Sequence, residues 1–403
     1  MLLAGSLCAC GSSFPDTGPD SGSADAGDAG APPGSDAGDG GGSDAGGSDA
    51  GSADAGSNDA GSADAGSNDA GAPDAGNGDG GVITSSLQLF VTPNPTGHTQ
   101  VIDAINSAAH SVHLVMYHLT EPAVTQALIN AHARGAAVEV ILDQSSLTTS
   151  EYSDSYNELR DAGVDVIKSS TGFSITHEKS MTIDGNEALI TSMNMTKTYA
   201  TTRDYGVSLS DPSVIAEWES VFAADLNNAV DGGTYTPAVS KLVWSPTNSS
   251  DELAALVASA THTLDTTVET IHSSTAVFTA LQAAAQRGVA VRLLTPECVE
   301  SSTPTTNYSS LSTLVSAGVS ARLMPNPSTA SAPYMHGKMM LVDSERAFVG
   351  SENFTADSLE DARECGIIFD DPAAVATLGT TFTADWAASI AIPATPPTNC
   401  PAD

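Results

Sequence analysis

The chain has 403 residues, with 13 Lys and Arg against 49 Asp and Glu, which gives a formal net charge of −36. So few cations argue against a surface dedicated to long nucleic acid, because each phosphate contact needs a positive charge. No apolar run reaches the ~18 residues that a membrane-spanning helix needs.

The N-terminal segment 1–82 differs in composition from the rest of the chain. It contains 14 Asp and no Glu, Lys or Arg, and the decamer at 51–60 recurs at 61–70. A tract of Gly, Ser, Ala and Asp buries too little apolar surface to fold, and its like charges keep it extended. We therefore expect a disordered spacer in this region.

A short apolar run precedes the spacer and leads to Leu7-Cys8-Ala9-Cys10. This run resembles a lipoprotein cleavage box, with Cys10 as the lipidated residue, although the usual positive charges are absent. We expect residues 1–82 to combine a truncated lipoprotein-type signal with the spacer. The protein would then be exported, as a bacterial outer-membrane or cell-surface lipoprotein or in secreted form.

Strands and helices alternate from residue 83 onward. The hydrophobic pattern predicts strands at 87–92, 112–117 and 138–142, with helices at 98–109 and 121–133 between them. Pro122 lies in the first turn of the second helix and Gly135 follows its end. This order is typical of a sheet with helices on its faces.

The same order returns later in the chain, with predicted elements at 242–246, 251–260, 263–269 and 276–286. Asp211-Pro212 recurs as Asp371-Pro372, and Phe222 to Asp225 recurs as Phe382 to Asp385, both at the same offset along the chain. The chain is therefore an internal duplication, with one half at 83–234 and the other at 235–403. Duplicated halves often pack about a pseudo-twofold axis and build one site between them.

Each half carries one copy of the same motif. A Lys follows the His by two residues, an Asp by seven and an Asn by seventeen. The first copy is His177, Lys179, Asp184 and Asn194, and the second is His336, Lys338, Asp343 and Asn353. Residues two apart on a strand share a face, so each His is expected beside its Lys.

The doubled pattern resembles the phospholipase D superfamily, whose signature is HxKxxxxD followed by GSxN, twice per chain in the larger members. The resemblance covers residues 84–390. Of the motif residues only Thr191 departs from it, because it stands where the first copy of GSxN would have its Gly. It implies two α/β/α sandwich halves with mixed sheets, related by a pseudo-twofold axis. It also implies His177 as nucleophile and His336 as general acid, an assignment that the near symmetry of the halves leaves open.

The residue types suit a phosphodiester, whose anionic oxygens repel nucleophiles unless cations and donors neutralise them. We expect phosphate to be bound by the lysines and asparagines of both motifs together with Ser192 and Ser351. No Cys/His cluster at metal-ligand spacing is visible, so no metal or cofactor is expected. Imidazole would then supply both the nucleophile and the proton.

Each His also needs an anion that fixes its tautomer. The candidates are Asp204 and Glu364, which follow their histidines at nearly the same distance in the two halves. The resemblance implies crossed pairs, Glu364 with His177 and Asp204 with His336; the alternative is surface ion pairs with Arg203 and Arg363. Structural roles beside the site are expected for Asp184 and Asp343. Comparable positions in the two halves make His118 and Glu269 candidates for the pocket wall.

The cysteines of the folded part allow one disulfide among Cys298, Cys365 and Cys400, and Cys365 is predicted to be a buried strand residue.

We expect a monomer that hydrolyses phospholipid head groups, with a lipid anchor as its contact to the membrane surface. A nuclease, a cardiolipin-synthase-like phosphatidyl transferase and a non-catalytic phosphate-binding module are the alternatives. The −22 carried by residues 83–403 disfavours the nuclease, because a polyanion would be repelled.

Overall fold

A computed structural model shows how the two halves are built. It describes the residues 87–94, 98–198, 201–237, 241–299, 305–398 and 400. The predicted signal with Cys10 and the spacer up to residue 82 lie outside the described residues.

Strands and helices alternate as predicted in the first half. Its described elements, in chain order, are β1 (Leu87–Thr92), α1 (Thr99–Ser107), β2 (Ser111–Met116), α2 (Pro122–Ala133), β3 (Ala137–Leu142), α3 (Ser150–Asp161), β4 (Asp165–Lys168), β5 (Lys179–Ile183), β6 (Glu187–Thr191), β7 (Asp204–Leu209) and α4 (Pro212–Asp231). Among the described residues the strands form one mixed sheet in the order β1-β7-β6-β5-β2-β3-β4.

The second half repeats this series. Its described elements are β8 (Leu242–Ser245), α5 (Ser249–Ser259), β9 (Thr263–Thr267), α6 (Ala276–Gln286), β10 (Ala290–Pro296), α7 (Thr305–Ser316), β11 (Ser320–Met324), β12 (Lys338–Val342), β13 (Arg346–Gly350), β14 (Glu364–Phe369), α8 (Pro372–Ala388) and β15 (Ile390–Ala391). The strand order β15-β11-β10-β9-β12-β13-β14-β8 is that of the first sheet with one short strand added. The predicted α/β fold with two homologous halves is confirmed.

The longest helix of each half begins at the duplicated Asp-Pro pair. Asp211 accepts hydrogen bonds from the amides of Ser213 and Val214, and Asp371 does the same at the start of α8. An Asp at the N-cap satisfies amides that have no partner inside the helix, and a Pro at the next position has no amide to satisfy. The repeat seen in the sequence is therefore a pair of helix starts.

Among the described residues the hydrophobic core has three parts, one of which belongs to both halves. The shared part contains Trp218 and Phe222 from α4, Phe382 from α8, and strand residues such as Val207 and Val349. Separate clusters lie under α1–α3 in the first half and under α5–α7 in the second. Each sheet thus packs one face on its own helices and the other on the shared core, which joins the halves.

Asp184 and Asp343 lie in the tight turns after β5 and β12, with φ of 53° and 52°. The carboxylate of Asp184 accepts from the amides of residues 109–111, and that of Asp343 accepts from the amides of residues 261–263. They therefore fasten the turn to the start of the neighbouring strand, β2 or β9. The structural role is as expected, but the place beside the site is wrong, because each Asp lies at the far end of the strand from its His.

The cysteines are also assigned by the fold. Cys298 and Cys400 form a disulfide across 102 residues of sequence, and Cys365 is a buried free thiol on β14. None of the described helices combines the length and the apolarity of a membrane span.

Candidate active site

Both motifs end at the same edge of their sheets. His177 lies two residues before β5 and Asn194 three residues after β6, and the second half places His336 and Asn353 in the same way around β12 and β13. Because the two strands of each motif are antiparallel neighbours, the start of one meets the end of the other. The His and Asn side chains thus project from segments just beyond the strands, and each motif Lys is the first residue of its strand.

At this edge each half supplies a carboxylate that contacts the motif His of the other half. Nδ1 of His177 is 2.7 Å from Oε2 of Glu364, and Nδ1 of His336 is 2.7 Å from Oδ1 of Asp204. A backbone hydrogen bond connects the two halves at the same place, since the amide of His177 donates to the carbonyl of Arg363 at 2.9 Å. The crossed pairs expected from the resemblance are confirmed, and each Nδ1 proton is directed at a carboxylate of the other half.

The arginines beside these carboxylates have other partners. The guanidinium of Arg203 forms a bidentate pair with Asp385 at 2.7 and 2.8 Å, and Arg363 pairs with Asp225 at 2.8 and 3.0 Å. All four positions obey the offset of the duplication, and each pair joins one half to the other. Surface ion pairs between Asp204 or Glu364 and the adjacent Arg, the alternative interpretation, are therefore wrong.

One cavity of about 650 Å³ lies where the motifs meet. His177, His336 and Asn194 all line it, together with Glu269, Tyr117 and His118. The amide oxygen of Asn194 is buried without a hydrogen-bond partner among the described residues. A buried acceptor without a partner, on a residue that lines a cavity, is available to a hydrogen-bond donor of a ligand.

The lysines of the motifs are buried beside this cavity. Lys179 and Lys338 have no exposed surface, and each donates to the backbone carbonyl of its own motif's His. Lys179 also lies 5.0 Å from the centre of the Tyr117 ring, whereas Lys338 donates to Glu269 at 3.3 Å. Both histidines and Asn194 thus line the cavity, and the two lysines and Asn353 contact residues that line it.

Ser192 and Ser351 do not face the cavity. The hydroxyl of Ser192 donates to Oδ1 of Asp204 at 2.6 Å, and that of Ser351 contacts the backbone of Cys365. Both residues are completely buried. The expected phosphate-binding role is therefore replaced by a positioning role, because the Ser of each GSxN copy holds the strand that carries the acidic partner.

Thr191 occupies the place of Gly350 because its surroundings differ. A Cβ at Gly350 would lie 2.3 Å from the carboxylate of Glu352, so a side chain is excluded there. In the first half Met193 replaces that Glu, and the Thr191 hydroxyl donates to the carbonyls of Lys179 and Met193. The side chain of Thr191 is thus accommodated because Met193, two residues later, stands where the second half has Glu352.

The equivalence of His118 and Glu269 expected from the sequence is wrong by one residue. The bridge between Leu119 and Met195 matches the bridge between Ile271 and Phe354, so Glu269 corresponds to Tyr117. Both His118 and Glu269 nevertheless line the cavity, as expected. Tyr117 itself, which contacts the His177 ring edge-on at 4.8 Å, was not singled out by the sequence.

The electrostatics of the site favour a neutral His177. Burial, with help from Lys179, outweighs the attraction of Glu364 and lowers the pKa of His177 to about 4. Burial and the neighbouring Lys338 lower the pKa of Lys179 to about 7. Burial alone would raise the pKa of Glu364, yet His177 and Lys179 hold it below its usual value. A neutral imidazole whose Nδ1 proton is bound to a carboxylate keeps Nε2 free as a nucleophile.

Glu178, which lies between His177 and Lys179, directs its side chain to the opposite side of the chain from theirs. Glu178 is buried and accepts from Ser180 at 2.5 Å and from Trp218 at 3.2 Å. Burial raises its pKa to about 7 from an ordinary 4.5. The unfolded chain therefore releases this proton near pH 4.5 and the folded chain only near pH 7, so the free energy of unfolding falls as pH rises between these values.

We expect Glu178→Gln to remove this fall in the free energy of unfolding with rising pH. The glutamine oxygen can accept the same hydrogen bonds, so relative to the wild type the variant should gain up to about 3 kcal/mol of unfolding free energy between pH 4 and pH 8. Urea unfolding at both pH values measures the difference. Glu158→Gln, at an exposed position, is the matched control, and the same pH dependence in Glu178→Gln and wild type would contradict the prediction.

Comparisons with known proteins agree with this geometry. The family model described as "Cardiolipin synthase, PLD-like domain" matches residues 101–226 and 253–386, one match in each half. The solved phosphatidylserine synthase of Haemophilus influenzae superposes with a TM-score of 0.58 over 74% of this chain and 86% of that one, at 11% identity. That likeness concerns the fold alone.

Two curated relatives cover a smaller part of the chain. The phospholipase D of Rickettsia prowazekii is 35% identical over 114 residues, or 28% of this chain and 53% of the relative. The mitochondrial cardiolipin hydrolase of Chlamydomonas reinhardtii is 29% identical over 129 residues, or 32% of this chain and 56% of the relative. The chain thus spans about half the length of these relatives. With one family match in each half and both motifs around one cavity, the chain belongs to the phospholipase D-like family.

Proposed function

We propose that the chain is a phosphodiesterase of phospholipase D type, which hydrolyses phospholipid head groups through a phosphohistidine. The observation that carries this proposal is the pair of crossed contacts, Glu364 to His177 and Asp204 to His336, at one cavity. Two imidazoles oriented alike by buried carboxylates suit a reaction in which one attacks phosphorus and the other moves a proton.

The chemistry divides into two steps. Nε2 of His177 forms a bond to phosphorus while the bond to the leaving oxygen breaks, and that oxygen takes the Nε2 proton of His336. Neutral His336 then accepts a proton from water, the water oxygen bonds to phosphorus, and the bond to His177 breaks. Lys179 would neutralise the phosphate oxygens in both steps, and Lys338 and the amide groups of the two motif asparagines would support it from further away.

A lipid substrate is favoured over a nucleic acid by charge. Carboxylates of α3 line the outer part of the cavity, at Glu151, Asp154 and Glu158, and the body as a whole is strongly acidic. These groups would repel a polyanionic strand. The names of the curated relatives, a phospholipase D and a cardiolipin hydrolase, support the same preference.

Export is part of the proposal, since the Cys298–Cys400 disulfide suits an oxidising compartment. The expected lipid at Cys10 would hold the enzyme at a membrane that contains its substrate, and we propose that it acts as a monomer.

A substrate panel tests the function. The purified chain is incubated with vesicles of phosphatidylcholine, vesicles of cardiolipin, and single-stranded DNA, each with EDTA and each with and without a primary alcohol. We expect lipid cleavage with EDTA present. DNA cleavage without lipid cleavage would indicate the nuclease, alcohol esters as the main product would indicate the transferase, and phosphate binding without turnover would indicate a binding module.

A further inference from the structure

The two halves differ at the position of the cavity wall that lies beside the lysine of each motif. Tyr117 of the first half corresponds to Glu269 of the second, and each lies against the Lys of its own motif. Lys179 therefore faces an aromatic ring, while Lys338 faces a carboxylate. This difference breaks the symmetry of the matched His and Lys residues of the two motifs.

The Glu269 carboxylate lies among the donors of the second motif. Its Oε2 is 3.3 Å from Nζ of Lys338, 3.5 Å from Nδ2 of Asn353 and 3.7 Å from Nε2 of His336. Its Oε1 accepts from the Tyr334 hydroxyl at 2.7 Å. These are the groups that the second motif would offer to a phosphate, so a carboxylate of the chain already occupies that place.

The carboxylate is ionised and held in position. Burial alone would raise the pKa of Glu269, but Lys338 and His336 outweigh it and lower the pKa to about 2. Its backbone carbonyl accepts from Thr295 at 3.1 Å and from Asn307 at 2.8 Å. The negative charge beside Nε2 of His336 is therefore permanent at working pH.

We propose, on the basis of the phosphodiesterase function above, that Glu269 is a positioning residue that assigns the two histidines their roles. The imidazolium form of His336 lies between two carboxylates, Asp204 at Nδ1 and Glu269 near Nε2, which favours the acid. His177 has only Glu364 among the described carboxylates within ion-pair distance, which favours the neutral nucleophile. At 3.7 Å the Glu269 oxygen lies beyond hydrogen-bond distance, so it stabilises the charge of His336 without accepting the Nε2 proton.

The position of the Glu269 carboxylate also determines where the phosphate can bind. With the place beside the second motif filled by the Glu269 carboxylate, the anion is held on the side of His177 and Lys179, whose ammonium group can donate to the phosphate oxygens. Nε2 of His177 then faces phosphorus and His336 faces the leaving oxygen. The charged or titratable groups that face His336 from neighbouring elements are Asp204, Glu269, Lys338, His177 and His118.

The test uses two soluble phosphodiesters that share one retained group and differ in the leaving group. A 4-nitrophenolate leaves without protonation, whereas an alkoxide needs the proton of a general acid. In Glu269→Gln we expect the rate for the alkyl ester to fall at least about 100-fold more than the rate for the nitrophenyl ester. Glu269→Asp should restore part of the lost rate for the alkyl ester.

The ratio of two rates from one preparation does not depend on the fraction of protein that is folded. Glu158→Gln, at an exposed position on the same cavity, is the matched control and should leave the ratio at the wild-type value. Equal losses on both esters in Glu269→Gln would overturn the role of Glu269, even if activity falls greatly. A wild type that cleaves neither ester would instead count against the proposed function itself.

Discussion

His177→Ala and His336→Ala will each reduce the turnover of a phosphodiester at least about 10⁴-fold, because one removes the nucleophile and the other the acid. The two variants will differ in what accumulates. With a nitrophenyl diester, His336→Ala can still form the bond from His177 to phosphorus, since this leaving group needs no proton. It lacks the base that activates water, so the covalent adduct persists.

Intact-protein mass spectrometry measures this difference. We expect the adduct mass on His177 in the His336→Ala variant and no adduct in His177→Ala. His110→Ala is the control, because this exposed His is not among the residues that line the cavity and the variant keeps the backbone amide that donates to Asp184. An adduct on His336 in the His177→Ala variant would reverse the roles and would also contradict the inference about Glu269.

Asp225→Ala will destabilise the folded chain by about 3–5 kcal/mol. The variant leaves the guanidinium of Arg363, which is only 1% exposed, without the carboxylate that contacts it at 2.8 and 3.0 Å. A buried charge that has lost its partner costs far more than the pair contributes when intact. Chemical denaturation monitored by tryptophan fluorescence gives the free energy of unfolding.

A surface pair provides the comparison for this prediction. Arg160 and Asp161 are 2.9 Å apart, but their side chains are 54% and 71% exposed. Asp161→Ala should therefore change the free energy of unfolding by less than about 1 kcal/mol. A loss of that small size in Asp225→Ala would show that the pair between the halves is not a major element of stability.

The pair has a second consequence for the site. Arg363 directly precedes Glu364, the partner of His177, and its carbonyl accepts from the His177 amide. Arg203 precedes Asp204 in the same way. The ion pairs that hold the halves together thus also position the two carboxylates that orient the histidines.

The fold could be predicted largely from the sequence because its signals are local and occur twice. The strand at 87–92 and the helix at 276–286 have the predicted bounds, since periodic apolar residues and turn residues mark them within a few positions. The motif spacing also predicted that His177 and His336 meet, because both motifs stand at equivalent points of duplicated halves.

Other features depended on contacts that spacing does not encode. A Ser two residues before an Asn can face a phosphate or the strand behind it, and Ser192 and Ser351 take the second choice. Asp184 and Asp343 follow their histidines by seven residues, and that distance along a strand carries them away from the site.

By itself, the sequence determined the duplication, the α/β order, the family resemblance and the residues of the two motifs, since each is a property of local pattern. Only the tertiary structure decided that Cys298 pairs with Cys400, that Arg203 and Arg363 join the halves, and that Tyr117 rather than His118 corresponds to Glu269. These facts involve residues far apart in the chain, and the packing of two sheets around a shared core determines which of them come into contact.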